Sequence, residues 1–230
     1  MSIESRAFES KTAYEILQWA VSNYQRVGLA SSFGLEDMVV IDMVSRLGGG
    51  IKIFTLDTGR LHEETYETME RVRSKYHMEV QAYFPRKEDV EHMTTKKGFY
   101  SFRESLENRK ECCRIRKVEP LQRALSNLDA WITGLRREQS MTRADIPKIM
   151  EDLDHPPLVK ISPLADWTAD QVMDYIEKNK VPTNPLHKKN YPSIGCAPCT
   201  RPILEGEDVR AGRWWWENPE HKECGLHKRD

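Results

Sequence analysis

The sequence has no apolar stretch near the roughly 18 residues of a membrane-spanning helix. Its longer apolar runs, such as Met38 to Ile41, are a single helical turn. Neither sign of charge is in excess. Lys plus Arg is 35 and Asp plus Glu is 36, a formal net charge of -1, so there is no global basic field to attract duplex nucleic acid. The opening residues, MSIESRAFESKTAYEI, lack the apolar core of a secretory signal, and the expectation is a cytoplasmic protein. Five cysteines in 230 residues are too few for a disulfide scaffold of the small secreted kind. Neither GxGxxG nor the GKS/T phosphate loop is present. What remains is a chain with 39% hydrophobic and 9% aromatic residues. That supports one full domain with a core and excludes disorder throughout.

Hydrophobic periodicity organises the first 180 residues. Helices are expected at 8–25, 35–47, 63–75, 87–97 and 100–107, and at 112–125 with a kink near Pro120. A last one is expected at 167–178, with Thr168 as its N-cap. Short strands are expected at 26–31, 51–56, 79–84, 130–134 and 158–161. Strands alternating with helices indicate an α/β fold on a parallel, Rossmann-like sheet, with the site at the strands' carboxyl ends. Prolines at 182, 185, 192, 198, 202 and 219 break the pattern after Val181. The expected organisation is a nucleotide-binding α/β domain over 1–180 and an irregular C-terminal segment over 181–230 that is not an independent domain.

Five groups of residues carry possible chemistry. SSFGLED, 31 to 37, joins a strand to a helix, where Ser31, Ser32 and Gly34 present hydroxyls and N–H groups. A plain strand-to-helix turn reads the same way. In LDTGR, 56 to 60, Asp57 ends a strand and suits a ribose or base edge, or the cap of the next helix. The cysteines fall as Cys112, Cys113, Cys196, Cys199 and Cys224, which reads as a four-thiolate site plus one reactive thiol. Four thiolates hold zinc or a [4Fe–4S] cluster. Adjacent cysteines on a helix diverge by about 100°, which favours a group with separated metal corners. A buried core thiol is the plain alternative. Cys224 lies in ECGLH among His221, Lys222, His227 and Lys228, neighbours that favour a thiolate nucleophile. An idle tail cysteine has the same sequence. Lys117, Arg136, Arg137, Arg143, Arg210 and Arg213 suit sulfate or phosphate. Residues 109 to 117 carry five basic residues against one Glu, which is also the composition of a solvated helix face. Trp214, Trp215 and Trp216 are expected to anchor the returning chain by burial.

Taken in order, SSFGLEDMV, LDTGRLHEET, CCRIRKVEPL, ITGLRREQS, SIGCAPCTRP, GRWWWE and ECGLH resemble the assimilatory adenylylsulfate/phosphoadenylylsulfate reductase family of bacteria and plants. The resemblance spans residues 25–228. It implies an adenine nucleotide α-hydrolase-like fold, with SSFGLED replacing the SGGxDS loop of relatives that cleave ATP. It implies Cys224 as catalytic cysteine and Cys112, Cys113, Cys196 and Cys199 as ligands of a [4Fe–4S] cluster. Lys117, Arg143, Arg210, Arg213 and His227 match basic residues around sulfate and phosphate, with Lys117 and His227 assisting catalysis. Ser31, Ser32, Gly34, Leu56 and Asp57 match nucleotide-binding loops, and Arg136 is assigned to substrate binding beside them.

The paired cysteines go with adenylylsulfate (APS) in this family, and forms without them use the 3′-phosphorylated compound (PAPS). The resemblance therefore implies APS reduction to sulfite and AMP through a Cys224 thiosulfonate, in sulfate assimilation and cysteine biosynthesis. The alternatives are PAPS or dual specificity, and a non-catalytic zinc- or cluster-stabilised nucleotide-binding protein. The implied partner is reduced thioredoxin or a glutaredoxin-like thiol donor, with no nucleic acid and no membrane. A homo-oligomer is compatible with these features.

Overall fold

The computed structural model describes residues 5–140 and 143–218. Helix α1 (Ala13–Asn23) begins where Thr12 and Glu15 satisfy each other's backbone groups in a capping box, and it buries Ala13, Ile16, Leu17 and Ala20 at helical spacing. Strand β1 (Val27–Ala30) comes next, then α2 (Leu35–Ser45), β2 (Ile51–Leu56), α3 (Glu63–Tyr76), β3 (Val80–Tyr83) and α4 (Lys87–Lys97). The chain continues through α5 (Leu106–Cys113), a wide turn at Arg114–Val118, α6 (Glu119–Leu125), β4 (Ala130–Ile132), β5 (Ile149–Glu151), β6 (Val159–Ile161) and α7 (Ala169–Asn179).

The strands form one six-stranded sheet in the order β3-β2-β1-β4-β6-β5. Strand β1 pairs parallel with β2 and β4, and β4 with β6. The expected parallel sheet is thus present at its centre. Its edge differs: β5, which carries no readable period in three residues, pairs antiparallel with β6, so the sheet is mixed. Helix α7 starts at Thr168 in a second capping box, as the sequence predicts.

The chain divides into two compact units, each built from separated stretches. One comprises the described residues through Thr55, Glu67–Gln81 and Asn127–Asn184. Its core takes in Ile16 and Leu17 of α1, Leu29 of β1, Val39 to Ile41 of α2, and Ile132 and Ile161 of the sheet. Helix α2 is buried from Asp37 to Val44 without interruption. Its buried carboxylate, Asp42, is satisfied by the Tyr76 and Tyr175 hydroxyls and by Arg46.

The other unit comprises Leu56–Tyr66, Ala82–Ser126 and the chain from Pro185. Its notable element is the helix that runs through α5 and α6. Cys112, Arg116, Pro120 and Ala124 are all buried and are spaced by four. In an α-helix each such step drifts by about 40°, so a regular helix would carry Ala124 far from the face of Cys112. The Arg114–Val118 segment winds as a π-helix, with the Glu119 N–H donating to the Arg114 carbonyl five residues back. The added residue turns α6 back by about 100° and keeps one continuous buried stripe. Pro120 fits there because it has no N–H to give the Arg116 carbonyl and its ring resists the regular four-residue register. The expected kink near Pro120 is this turn.

Candidate active site

The loop expected to hold a nucleotide lies between β1 and α2. The Ser31 N–H donates to the Phe54 carbonyl of β2. Ser31 Oγ accepts from the Phe33 N–H at 3.1 Å, and Phe33 takes a left-handed backbone at φ 60°. Ser32 donates both its N–H and its hydroxyl to the Asp37 carboxylate, at 2.6 and 2.9 Å. Burial pushes the Asp37 carboxyl up to about 6, against the pull of the Ser32 hydrogen bonds. Gly34 caps α2 with its backbone alone.

Gly134, at the end of β4, makes room for this carboxylate, because a β-carbon there would run into Asp37 Oδ1. Arg136 is buried and bonded to Glu36, to Glu138 and to the Trp167 carbonyl. Arg137 donates to Glu9 and to the Ile146 carbonyl. Arg143 donates to Gln139 Oε1 at 2.6 Å.

Four cysteines meet in the other unit. Cys112 and Cys113 end α5, and Cys196 and Cys199 bracket a single 3₁₀ turn. That turn is held at many points. The Ala197 N–H donates to the Arg60 carbonyl, the Thr200 hydroxyl to the Cys196 carbonyl, the Trp214 N–H to the Cys199 carbonyl, and Arg103 to the Pro198 carbonyl. The four sulfur-bearing side chains line one cavity. Among the described residues no three Cys, His, Asp or Glu side chains are grouped to hold a single metal ion. Four thiols around a shared cavity suit a larger group with several metal corners.

The walls of the cavity are cationic: Arg60, Arg109, Arg116, Lys117 and Arg213, closed by Phe102 and Trp214. Burial works against the Arg109 charge, but two bonds of 2.9 Å to Glu217 and contact with Cys113 hold it protonated. Arg116 donates to the Thr58 carbonyl at 2.6 Å and bonds Cys112. Burial and the neighbouring Arg60 lower its affinity for a proton. Thr58 Oγ1 lies 3.2 Å from Cys196 Sγ. On these walls the buried Arg116 Nε and Trp214 Nε1 have no hydrogen-bond partner. Such donors fit thiolate or sulfide sulfur, which accepts weak hydrogen bonds.

Burial pushes the Cys112 thiol up, against Arg116 and Arg60. The Cys199 thiol is pushed up to about 12, first by burial and then by Cys196, with Lys117 opposing. A metal bound at these thiols would displace their protons.

Leu56 is half-buried. Asp57 is buried, and its carboxylate accepts the Gly59 N–H at 2.8 Å and the Tyr66 hydroxyl at 3.0 Å. It closes an Asx turn in front of α3. Arg213 lines the cysteine cavity and donates to Ser193 and to the Ile194 carbonyl. Arg210 is half-buried and lies outside the cavity wall. Cys224 and His227 lie outside the described residues.

Arg60, Phe102, Arg109 and Arg116 line the cavity without having been named individually from the sequence, and Thr58 adjoins it through Cys196. Arg109 and Arg116 had a usable signal, since both fall one turn from the cysteine pair on the same helical face. Among the described residues no helix is long and apolar enough to cross a membrane.

Comparison with known proteins places this geometry. Residues 26–202 match the phosphoadenosine phosphosulfate reductase domain family. The chain is 47% identical over all 230 residues to the adenosine 5′-phosphosulfate reductase of Allochromatium vinosum, covering 90% of that protein. It is 50% identical over 204 residues to that of Burkholderia cepacia, covering 89% of this chain and 81% of the other. A crystal structure of a phosphoadenylyl-sulfate (PAPS) reductase from Candida auris superposes with a TM-score of 0.75 at 29% identity, over 86% of this chain and 94% of that one. An FMN adenylyltransferase from Candida glabrata shares the fold alone, with a TM-score of 0.56 at 12% identity over 95% and 74% of the two chains. The motifs, the mixed sheet and the near-full-length identity agree, and the chain belongs to the phosphoadenosine phosphosulfate reductase family.

Proposed function

We propose that the protein reduces adenylylsulfate to sulfite and AMP, with a dithiol protein such as reduced thioredoxin as electron donor, in the cytoplasm. The observation that carries this reading is the cavity where Cys112, Cys113, Cys196 and Cys199 meet five cationic side chains, in a chain 44–50% identical to proteins named adenosine 5′-phosphosulfate reductase. A [4Fe–4S] group held by these four thiolates fits the cavity and its orphaned donors. When bound, it supplies a rigid, anionic anchor that ties the 196–199 turn to the 112–117 helix.

The chemistry belongs to Cys224 and to the cations. The Cys224 thiolate attacks the sulfur of adenylylsulfate, the S–O bond to the phosphate breaks, and AMP leaves with that electron pair. The product is a thiosulfonate, Cys–S–SO3⁻. A thiolate of the partner attacks the Cys224 sulfur and releases sulfite, leaving a mixed disulfide. The partner's second thiolate resolves it and frees Cys224. The two electrons come from the partner's dithiol, which leaves as a disulfide.

A thiolate approaching an anionic sulfate meets repulsion, and Lys117, Arg143, Arg210, Arg213 and His227 offset it. Ser31, Ser32, Gly34, Leu56, Asp57 and Arg136 hold the nucleotide or the loops around it.

The test is sulfite release by anaerobically purified protein with reduced thioredoxin and either APS or PAPS. Release from APS with little from PAPS supports the reading. Equal release from both makes the protein dual-specific. No release from either, in protein carrying its full iron, overturns the enzymatic reading. Metal analysis separates iron from zinc.

A further inference from the structure

The surface beside the cysteine cavity is unusually aromatic. Phe99 is 69% exposed, Tyr100 61% and Trp215 37%. Tyr100 and Trp215 flank Arg103, whose guanidinium lies 5.3 Å from the Tyr100 ring, 5.4 Å from Trp215 and 5.3 Å from Trp216, and Phe99 precedes Tyr100 in the chain. The same guanidinium donates to the Pro198 carbonyl inside the CxxC turn. Arg60 bonds the Phe99 carbonyl on the other side. The Tyr100 and Trp215 rings are therefore tied through Arg103 to the turn that presents Cys196 and Cys199, and the Phe99 backbone is held by Arg60. Large exposed aromatics clustered around arginine are costly to leave in water, and they are the residues that dominate protein–protein recognition.

The chain says what has to come here. From Asn218 to Cys224 is six residues, which reach no more than about 20 Å even when fully extended. Cys224 thus acts within that distance of a point three residues past Trp215. This rests on the reaction proposed above, in which a second protein must bring a thiolate into bonding contact with the Cys224 sulfur. A protein that does so covers the ground around residues 215–218.

We propose that Phe99, Tyr100 and Trp215 form the docking surface for the thiol–disulfide reductase that regenerates Cys224. The occupant is a small protein whose exposed dithiol sits in an uncharged, apolar face. The aromatic rings take that face, and Arg103 orients Tyr100 and Trp215 through its cation–π contacts. The surface acts in the second half of the reaction and has no part in the first. Neither Phe99 nor Tyr100 lines the cysteine cavity, so both can be changed without touching substrate or metal ligands.

The experiment uses the iron-loaded full chain carrying Phe99→Ser and Tyr100→Ser together. Three quantities are read: AMP released in a single turnover on APS without thiol, sulfite release driven by dithiothreitol, and kcat/KM for reduced thioredoxin. The expected result is an unchanged AMP burst, unchanged dithiothreitol-driven release, and a thioredoxin kcat/KM at least about tenfold lower. A thioredoxin kcat/KM within twofold of the parent overturns the proposal. So does an equal loss in the AMP burst, which would mean that the patch seats the chain's own last residues. A change in solution mass also overturns it, because the patch would then join two copies. If the unaltered protein releases no AMP from APS, the proposed reaction has failed, independently of the docking surface.

Discussion

Removing one carboxylate should expose how the cysteine cavity is held together. Arg109 and Glu217 have side-chain exposures of 2% and 8%, and they share two hydrogen bonds of 2.9 Å. The Arg109 guanidinium also lies 4.7 Å from the Trp214 ring. Glu217→Ala leaves that guanidinium buried without its counter-charge, beside four more cations on the same cavity. Breaking a buried pair in this way costs about 3–5 kcal/mol, whereas replacing both partners with apolar residues is far less damaging. The assay is urea unfolding of the iron-loaded and iron-free protein. At a slope of roughly 2–3 kcal/mol per molar, the midpoint should fall by about 1–2.5 M. The matched control is Arg109→Met with Glu217→Leu. It should be more stable than Glu217→Ala alone, because no unpaired charge remains. A Glu217→Ala loss below about 1 kcal/mol would refute the argument, as would a double variant no better than the single one.

Serine in place of any of Cys112, Cys113, Cys196 or Cys199 should lower bound iron and visible absorbance together with activity. Cys224→Ser should keep its iron and lose turnover completely, as measured by iron assay and sulfite release side by side. Asp37→Asn should change the pH profile of stability. The Asp37 carboxyl titrates in the folded protein at about 6, above its ordinary 3.8. Stability from its protonated form is therefore full below about pH 4 and lost as pH rises through 6. Relative to the parent, Asp37→Asn should gain up to about 3 kcal/mol across that window, seen in unfolding at pH 4, 5, 6 and 7. Gly134→Ala should destabilise by about 1–3 kcal/mol, because the new methyl would press on Asp37 Oδ1 and the Asp37 N–H. A melting temperature equal to the parent's would show that the loop yields freely.

The regular part of this fold was legible because its pattern is local. Ile51–Leu56 and Lys87–Lys97 occupy the residues expected from the sequence, and the Thr168 cap is in place. Strand β5 escaped notice because three residues carry no period and its partner, β6, is eight residues on. The pairing of Ser32 with Asp37 was hidden for another reason. The glycine that admits the carboxylate, Gly134, lies nearly a hundred residues away and is unremarkable in its own segment. The four cysteines that line one cavity could be grouped from the sequence, and its cationic wall only in part. Arg109 and Arg116 share the basic 109–117 run with the cysteine pair, whereas Arg60 comes from a distant stretch that only folding brings to the cavity. Lys117 and Arg213, assigned from the sequence to the substrate's sulfate and phosphate, line that cavity. Arg136, singled out for substrate, is engaged by Glu36 and Glu138, partners that a linear reading does not supply.

The wide turn at Arg114–Val118 makes the length of this segment matter more than its spelling. It works as an offset between two rulers laid end to end. One ruler is graduated to Cys112 and Cys113, the other to Leu121, Ala124 and Leu125. Arg114 sits on the exposed side of the joint, so Arg114→Ala should leave iron content and stability within about 0.5 kcal/mol of the parent. Deleting Arg114 altogether closes the offset and swings one set of graduations by about 100° against the other. Either the cysteines or the apolar residues must then face the wrong way, and bound iron should fall even though no ligand has been altered.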